Sequence, residues 1–141
     1  MPDTHDLQRF VEAQRTTYPQ ALAELRAGRK QSHWMWFIFP QLAGLGRSDM
    51  AKRYAISDIE EAKAYLAHPQ LGPRLEESAR ALLPHAERSA HEIFGSPDDL
   101  KLRSSMTLFA AAAPEYAVFQ QVLNIFYGGE ADPDTLARLQ R

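Results

Sequence analysis

The chain has 141 residues, 45% of them apolar and 24% charged, which argues for one folded domain over residues 1–141 and against disorder. A net charge of −2 excludes a globally basic nucleic-acid binder, and the absence of cysteine excludes disulfides, thiolate catalysis and cysteine zinc sites. The longest strongly apolar run, Trp34 to Phe39, falls far short of the roughly 20 residues of a membrane span, and the N-terminus lacks a basic-then-apolar leader. The expected location is therefore the cytoplasm.

Helix signals recur from the start of the chain. Leu7, Phe10, Val11 and Gln14 follow i, i+3, i+4, i+7 spacing, with Thr4 or Asp6 as the cap. Pro19 disfavours helical geometry at Tyr18, so this helix is expected to end there and a second to open at Pro19, carrying Leu22 and Leu25 inward and stopping at Gly28. The glycines of Leu42-Ala43-Gly44-Leu45-Gly46-Arg47-Ser48 predict a loop, and this isolated pair is too short for a dinucleotide fingerprint. Ser57 with Glu60 forms a capping-box pattern before Ile59, Ala62 and Leu66.

Leu71, Leu75, Ala79 and Leu82 make the next stripe, closed by Pro84. Ser89 with Glu92 is a second capping box, and Gly95 ends that short helix. Ser96-Pro97-Asp98-Asp99 reads as a cap, a first-turn proline and two acids at the positive dipole end. Leu102, Met106 and Phe109 then line one face. Val118, Phe119, Val122, Ile125 and Phe126 form a further stripe ended by Gly128-Gly129, and Asp132-Pro133 opens a last short helix. No alternating strand or repeat stands out. The expected fold is all-α, a compact single-domain bundle of about seven short helices.

Charge is unevenly distributed along this chain. No acid occurs between Glu24 and Asp49, a stretch that holds Arg29, Lys30, His33, Trp34, Trp36 and Arg47. A second acid-free window, Leu100 to Pro114, holds Lys101, Arg103, Ser104, Ser105 and Thr107. If the two meet they form a locally positive site, because a nearby carboxylate would repel an anion at short range. Arginine would grip phosphate with its planar fork, lysine as a point charge, and a tryptophan face could stack a base. The bland alternatives stand beside this: the aromatic run as core, and the three hydroxyl residues as a close helix crossing. The histidines lack metal-ligand spacing, and no metal or cofactor is expected.

From about Leu7 to Gly128 the chain resembles a bacterial and fungal family known as domain of unknown function 1810. The motifs that carry the resemblance are Lys30 with Ser32-His33-Trp34-Met35-Trp36-Phe37-Ile38-Phe39-Pro40-Gln41, Gly44-Leu45-Gly46, Tyr54-Ala55-Ile56, His68-Pro69, Ile93-Phe94-Gly95, and Lys101 with Ser104-Ser105-Met106-Thr107-Leu108-Phe109. The resemblance implies an all-α domain and no established activity. The calpastatin label that some members carry has no physical support, since such an inhibitor is expected to be disordered and polar. A fainter likeness to the α-helical NADAR group, which acts on ADP-ribose N-glycosides, favours a nucleotide-like ligand as an analogy that transfers no residue.

Two functions follow as expectations. In the first, a pocket takes a phosphorylated or nucleotide-like small molecule, extending to ADP-ribose-related N-glycoside hydrolysis. His33 and Glu61 are its candidate catalytic residues; Lys30, Trp34, Trp36, Gln41, Arg47, Lys101, Arg103, Ser104 and Ser105 are its candidate binding residues. Lys30 and His33 are expected to face Ser104 or Ser105 across a cleft, with Lys30 and Arg103 converging on one ligand. In the second, the domain is a non-enzymatic interaction module anchored by an exposed aromatic segment. Oligomeric state is left open.

Overall fold

The computed structural model describes residues 6–140. Among them are nine α-helices and a single 3₁₀ turn, at Leu83–His85, and no strand. The helices are α1 (Gln8–Ala27), α2 (Met35–Ile38), α3 (Asp49–Arg53), α4 (Ile59–Ala67), α5 (Leu71–Arg80), α6 (Ala90–Phe94), α7 (Asp98–Ala112), α8 (Ala117–Tyr127) and α9 (Pro133–Leu139). The all-α expectation holds. The helix count exceeds seven because α2 and α3, on either side of the predicted Leu42–Ser48 loop, are single-turn pieces that no stripe or cap pattern marks. No helix among the described residues is long and apolar enough to cross a membrane.

The core is organised around α7, which packs against α4, α6, α8 and α9. Leu102, Ser104, Ser105, Met106, Thr107, Leu108, Phe109 and Ala112 are all buried, so the helix is enclosed on most of its circumference. The predicted face of Leu102, Met106 and Phe109 is therefore only part of its buried surface. Phe109 meets Tyr65 of α4 at 5.4 Å and Phe119 of α8 at 5.9 Å between ring centroids. Phe119 and Val122 are fully buried, as their stripe predicts.

Three local expectations are corrected. The first helix does not end at Tyr18: α1 runs unbroken through Pro19. An interior proline costs about 3 kcal/mol or more. Here Phe10, Gln14 and Tyr18 on one side of it and Ala21, Leu22 and Leu25 on the other are buried along one helix, and that packing outweighs the cost. Helix α1 is entered at Leu7 with no side-chain cap, so Asp6 does not cap it, and Thr4 lies outside the described residues.

The cap of α4 is Asp58, one residue after Ser57, and its side chain accepts from Glu61 N–H. Glu61 reaches back to the Ser57 amide and hydroxyl instead, so the box is shifted by one position. Pro97 precedes α7 with no side-chain cap at Ser96, and Asp98 and Asp99 fill the first turn. The Ser89–Glu92 capping box forms as read, and Gly28 closes α1 in the left-handed conformation at φ 73°.

Candidate functional site

The first acid-free window begins with a loop, residues 28–34, that is tied to one buried carboxylate. Glu24 accepts hydrogen bonds from the Gln31 and Ser32 amides at 2.7 and 2.9 Å, from the Ser32 hydroxyl, and from Trp34 Nε1 at 2.9 Å. Burial alone would raise the carboxyl's pKa. The hydrogen bonds from Ser32, Gln20 and the Gln31 amide outweigh it and draw the value down to about 2. Trp34 is completely buried, with Phe39 and Phe94 against its ring. Met35, Phe37, Ile38 and Phe39 are likewise core. The aromatic run is thus mainly packing, and the exposed anchor imagined for an interaction module is not present there. Trp36 is the partly exposed member, and its indole N–H is buried without a hydrogen-bond partner.

The two windows meet as expected, but through an acid. Lys30 Nζ lies 3.0 Å from Asp98 Oδ2 at the start of α7, and 2.6 Å from the Ser32 carbonyl oxygen to which it donates. Lys101 Nζ, one turn further along α7, lies 3.6 Å from Asp98 Oδ1. Each ammonium also stands over an indole ring, Lys30 at 5.1 Å from the Trp34 centroid and Lys101 at 5.7 Å from the Trp36 centroid. Asp98 is more than a first-turn charge complementing the helix dipole; it joins the windows. Asp98 lies just outside the acid-free stretch, and only its i, i+3 spacing to Lys101 is readable from the chain.

Beyond Lys101 the windows enclose an open cleft of about 450 Å³. One wall is the loop before α3, with Gln41, Leu45 and Gly46. The other is the first half of α7, with Leu100, Lys101, Arg103 and Ser104, and the floor edge is the start of α9, with Asp132 and Asp134. Gly46 is required by packing: a Cβ there would fall 2.4 Å from the Ala51 Cβ of α3. Ser48 caps α3 by accepting from the Ala51 amide, which holds that wall in place. The Gly44-to-Gly46 segment is accordingly a structural turn, with Gly44 at φ 94°.

Several polar groups lining the cleft are already engaged. Ser104 donates to the Leu100 carbonyl oxygen and to Asp132 Oδ2. Asp132 caps α9, accepting from the Thr135 amide and hydroxyl, while its own amide donates to Thr107 Oγ1 at 2.8 Å. Arg103 donates to the carbonyl oxygens of Glu130 and Ala131 at 2.9 and 3.0 Å. These contacts hold α9 on α7. They also confirm the close-crossing role of the small hydroxyl residues, with Ser105 fully buried and its hydroxyl unpartnered.

The structure brings together Gln41, Lys101, Arg103 and Ser104 in the cleft, with Trp36 and Lys30 linked to it through Lys101 and Asp98. It does not bring Lys30 and Arg103 onto one group: Lys30 turns to Asp98, and Arg103 to the segment before α9. Lys30 likewise faces Asp98 rather than Ser104 or Ser105. His33 and Arg47 are exposed on the loops before α2 and α3. Glu61 is buried in the first turn of α4, held by Arg9 Nη2 at 3.0 Å and by Ser57. The expectation that carboxylates are excluded from the site is also corrected, since Asp98, Asp132 and Asp134 border it. Among the described residues, no group of three or more histidines and acids is placed to hold a metal ion.

The family model for a protein of unknown function, DUF1810, matches residues 4–139 of the chain. A solved structure with 55% sequence identity, the crystal structure at 1.38 Å of the conserved hypothetical protein Rv1873 from Mycobacterium tuberculosis, superposes with a TM-score of 0.97 over 99% of each chain. No curated protein matches.

Proposed function

The chain belongs to the DUF1810 family, whose function is unknown, and we propose that its cleft between the Gln41–Gly46 loop, α7 and α9 binds a nucleotide-like small molecule. The observation that carries this reading is the convergence of Gln41, Lys101, Arg103 and Ser104 from two distant stretches of chain on one open cleft. Clefts of a few hundred Å³ with apolar walls and a few polar groups are the usual form of a small-molecule site. Leu45 and Leu100 offer the apolar walls, and Leu100 is 58% exposed at the rim.

Arg103 and Ser104 shape the wall through their contacts to the segment before α9, and the remaining groups meet the ligand. Lys101 meets a phosphate as a mobile point charge from its place over the Trp36 ring. Gln41 and the exposed Asp134 carboxylate suit ribose hydroxyls, which donate to acceptors. The acids argue against a bare phosphate or polyphosphate as the whole ligand, because a site lined by carboxylates favours a molecule carrying donors as well as negative charge. Binding is the better supported half of the reading. Hydrolysis of an N-glycoside by His33 and Glu61 lacks geometric support, since Glu61 is committed to Arg9 and Ser57.

The test is a thermal-shift titration with ADP-ribose, AMP and adenosine. At about 100 times the dissociation constant a ligand stabilises the fold by about 2.7 kcal/mol. The expected result is stabilisation by ADP-ribose that Lys101→Ala removes and Glu61→Gln does not. Stabilisation by none of the three compounds at millimolar concentration sinks the reading.

A further inference from the structure

We propose that Asp98 is a built-in counter-ion that a ligand phosphate must displace from Lys101, so that Asp98 sets how tightly the cleft holds an anionic ligand. This rests on the cleft reading above and specifies the regulation of that site.

The two lysines that share Asp98 are held very differently. Lys30 has a side chain only 9% exposed, donates to the Ser32 carbonyl oxygen, and lies 3.0 Å from one carboxylate oxygen. The Ser32 end of that contact is itself fixed by Glu24, which accepts from the Ser32 amide and hydroxyl. Lys101 is 23% exposed, sits 3.6 Å from the other oxygen, and lines the cleft. The first pair is a closed contact and the second a loose one, and a long flexible stem lets Lys101 swing.

Charge counting gives the consequence. At the Asp98 junction two ammonium groups share one carboxylate, so Lys101 is only partly neutralised there, with Asp132 and Asp134 bordering the cleft beyond it. When a phosphate draws Lys101 away, Asp98 keeps Lys30 at 3.0 Å, so no carboxylate is left buried and alone. Without Lys30 the same displacement would orphan Asp98, and Lys101 would be held back. Lys30 therefore acts as a positioning residue: it stays out of the ligand's reach and makes Lys101 available to it.

The experiment is calorimetric titration of the full chain with ADP-ribose and, as the phosphate-free comparison, adenosine, at two salt concentrations. Asp98→Asn removes the competing charge while keeping shape. It is expected to tighten ADP-ribose by about tenfold at low salt, less at high salt, and to leave adenosine unchanged. Lys30→Met leaves Asp98 to Lys101 alone and is expected to weaken ADP-ribose severalfold, again without affecting adenosine. A structural role alone would move both ligands together. Unchanged or weaker ADP-ribose binding in Asp98→Asn overturns the counter-ion proposal while the cleft reading survives. If Asp98→Asn does not fold, Lys30→Met decides, and unchanged ADP-ribose binding there overturns it. Absence of ADP-ribose binding by the unaltered protein overturns this proposal, and absence of ADP-ribose, AMP and adenosine binding alike overturns the cleft reading with it.

Discussion

The two tryptophans stand two residues apart and face opposite conditions. Trp34 has no exposed surface, and its indole N–H is bonded to Glu24 inside a closed network. Trp36 is partly exposed, its buried N–H has no partner, and Lys101, which lines the cleft, stands over its ring. Half a turn of α2 thus separates a finished structural site from an open one. The buried N–H of Trp34 is satisfied within the fold, whereas that of Trp36 is not.

Substitutions at the two rings sharpen that contrast most strongly. Trp34→Phe removes the bond to Glu24 and leaves a buried cavity, and Trp34→Ala is expected to cost about 3–5 kcal/mol in denaturant unfolding. Trp36→Ala is expected to cost less than half as much. Equal losses at the two positions would show that Trp36 is core as well.

The next effect is at the carboxylate that closes the Trp34 site. Glu24 has its pKa lowered from 4.5 to about 2 in the folded protein. A depressed carboxyl contributes stability that is fully present above the unfolded value and lost as pH falls through the folded one. The window is therefore about pH 4.5 down to 2. The contribution is roughly 2–3 kcal/mol, so the unfolding free energy of the unaltered protein should fall across that window more steeply than that of Glu24→Gln. Parallel pH profiles for the two proteins would contradict the network described here.

A smaller effect is expected on the open side. Lys101→Ala breaks a loose, partly exposed ion pair and a distant contact over the Trp36 ring, so stability should change by about 1 kcal/mol or less, measured by urea unfolding. A larger loss would place Lys101 among the groups that hold the fold.

Much of this was legible in the sequence, and the failures have physical causes. The Ser89–Glu92 box formed as read, and the Phe119 stripe held for Val118, Phe119 and Val122 but not for Ile125, which is exposed at the end of α8. Pro19 misled because a local penalty met a long buried helix face that the sequence distributes over both sides of the proline. The convergence of the two acid-free windows was readable from charge alone. Their junction was not, because Asp98 belongs to neither window and its partners are set by where the loop at residues 28–34 is pinned. That pin is Glu24, an acid on the preceding helix whose role depends on folding back the next ten residues. Glu61 reads in the sequence as a candidate catalytic carboxylate, yet its partners, Arg9 and Ser57, come from segments the pattern does not join.

The central claim, that the aromatic segment divides into a closed structural half and an open binding half, has a direct readout in the two indole N–H resonances. They are to be followed by proton–nitrogen correlation spectroscopy while ADP-ribose is titrated in. The account predicts that the Trp36 signal moves with saturation and that the Trp34 signal, bonded to Glu24, stays in place and exchanges slowly with solvent. Movement of Trp34 alone, or of neither signal at saturating ligand, would contradict it.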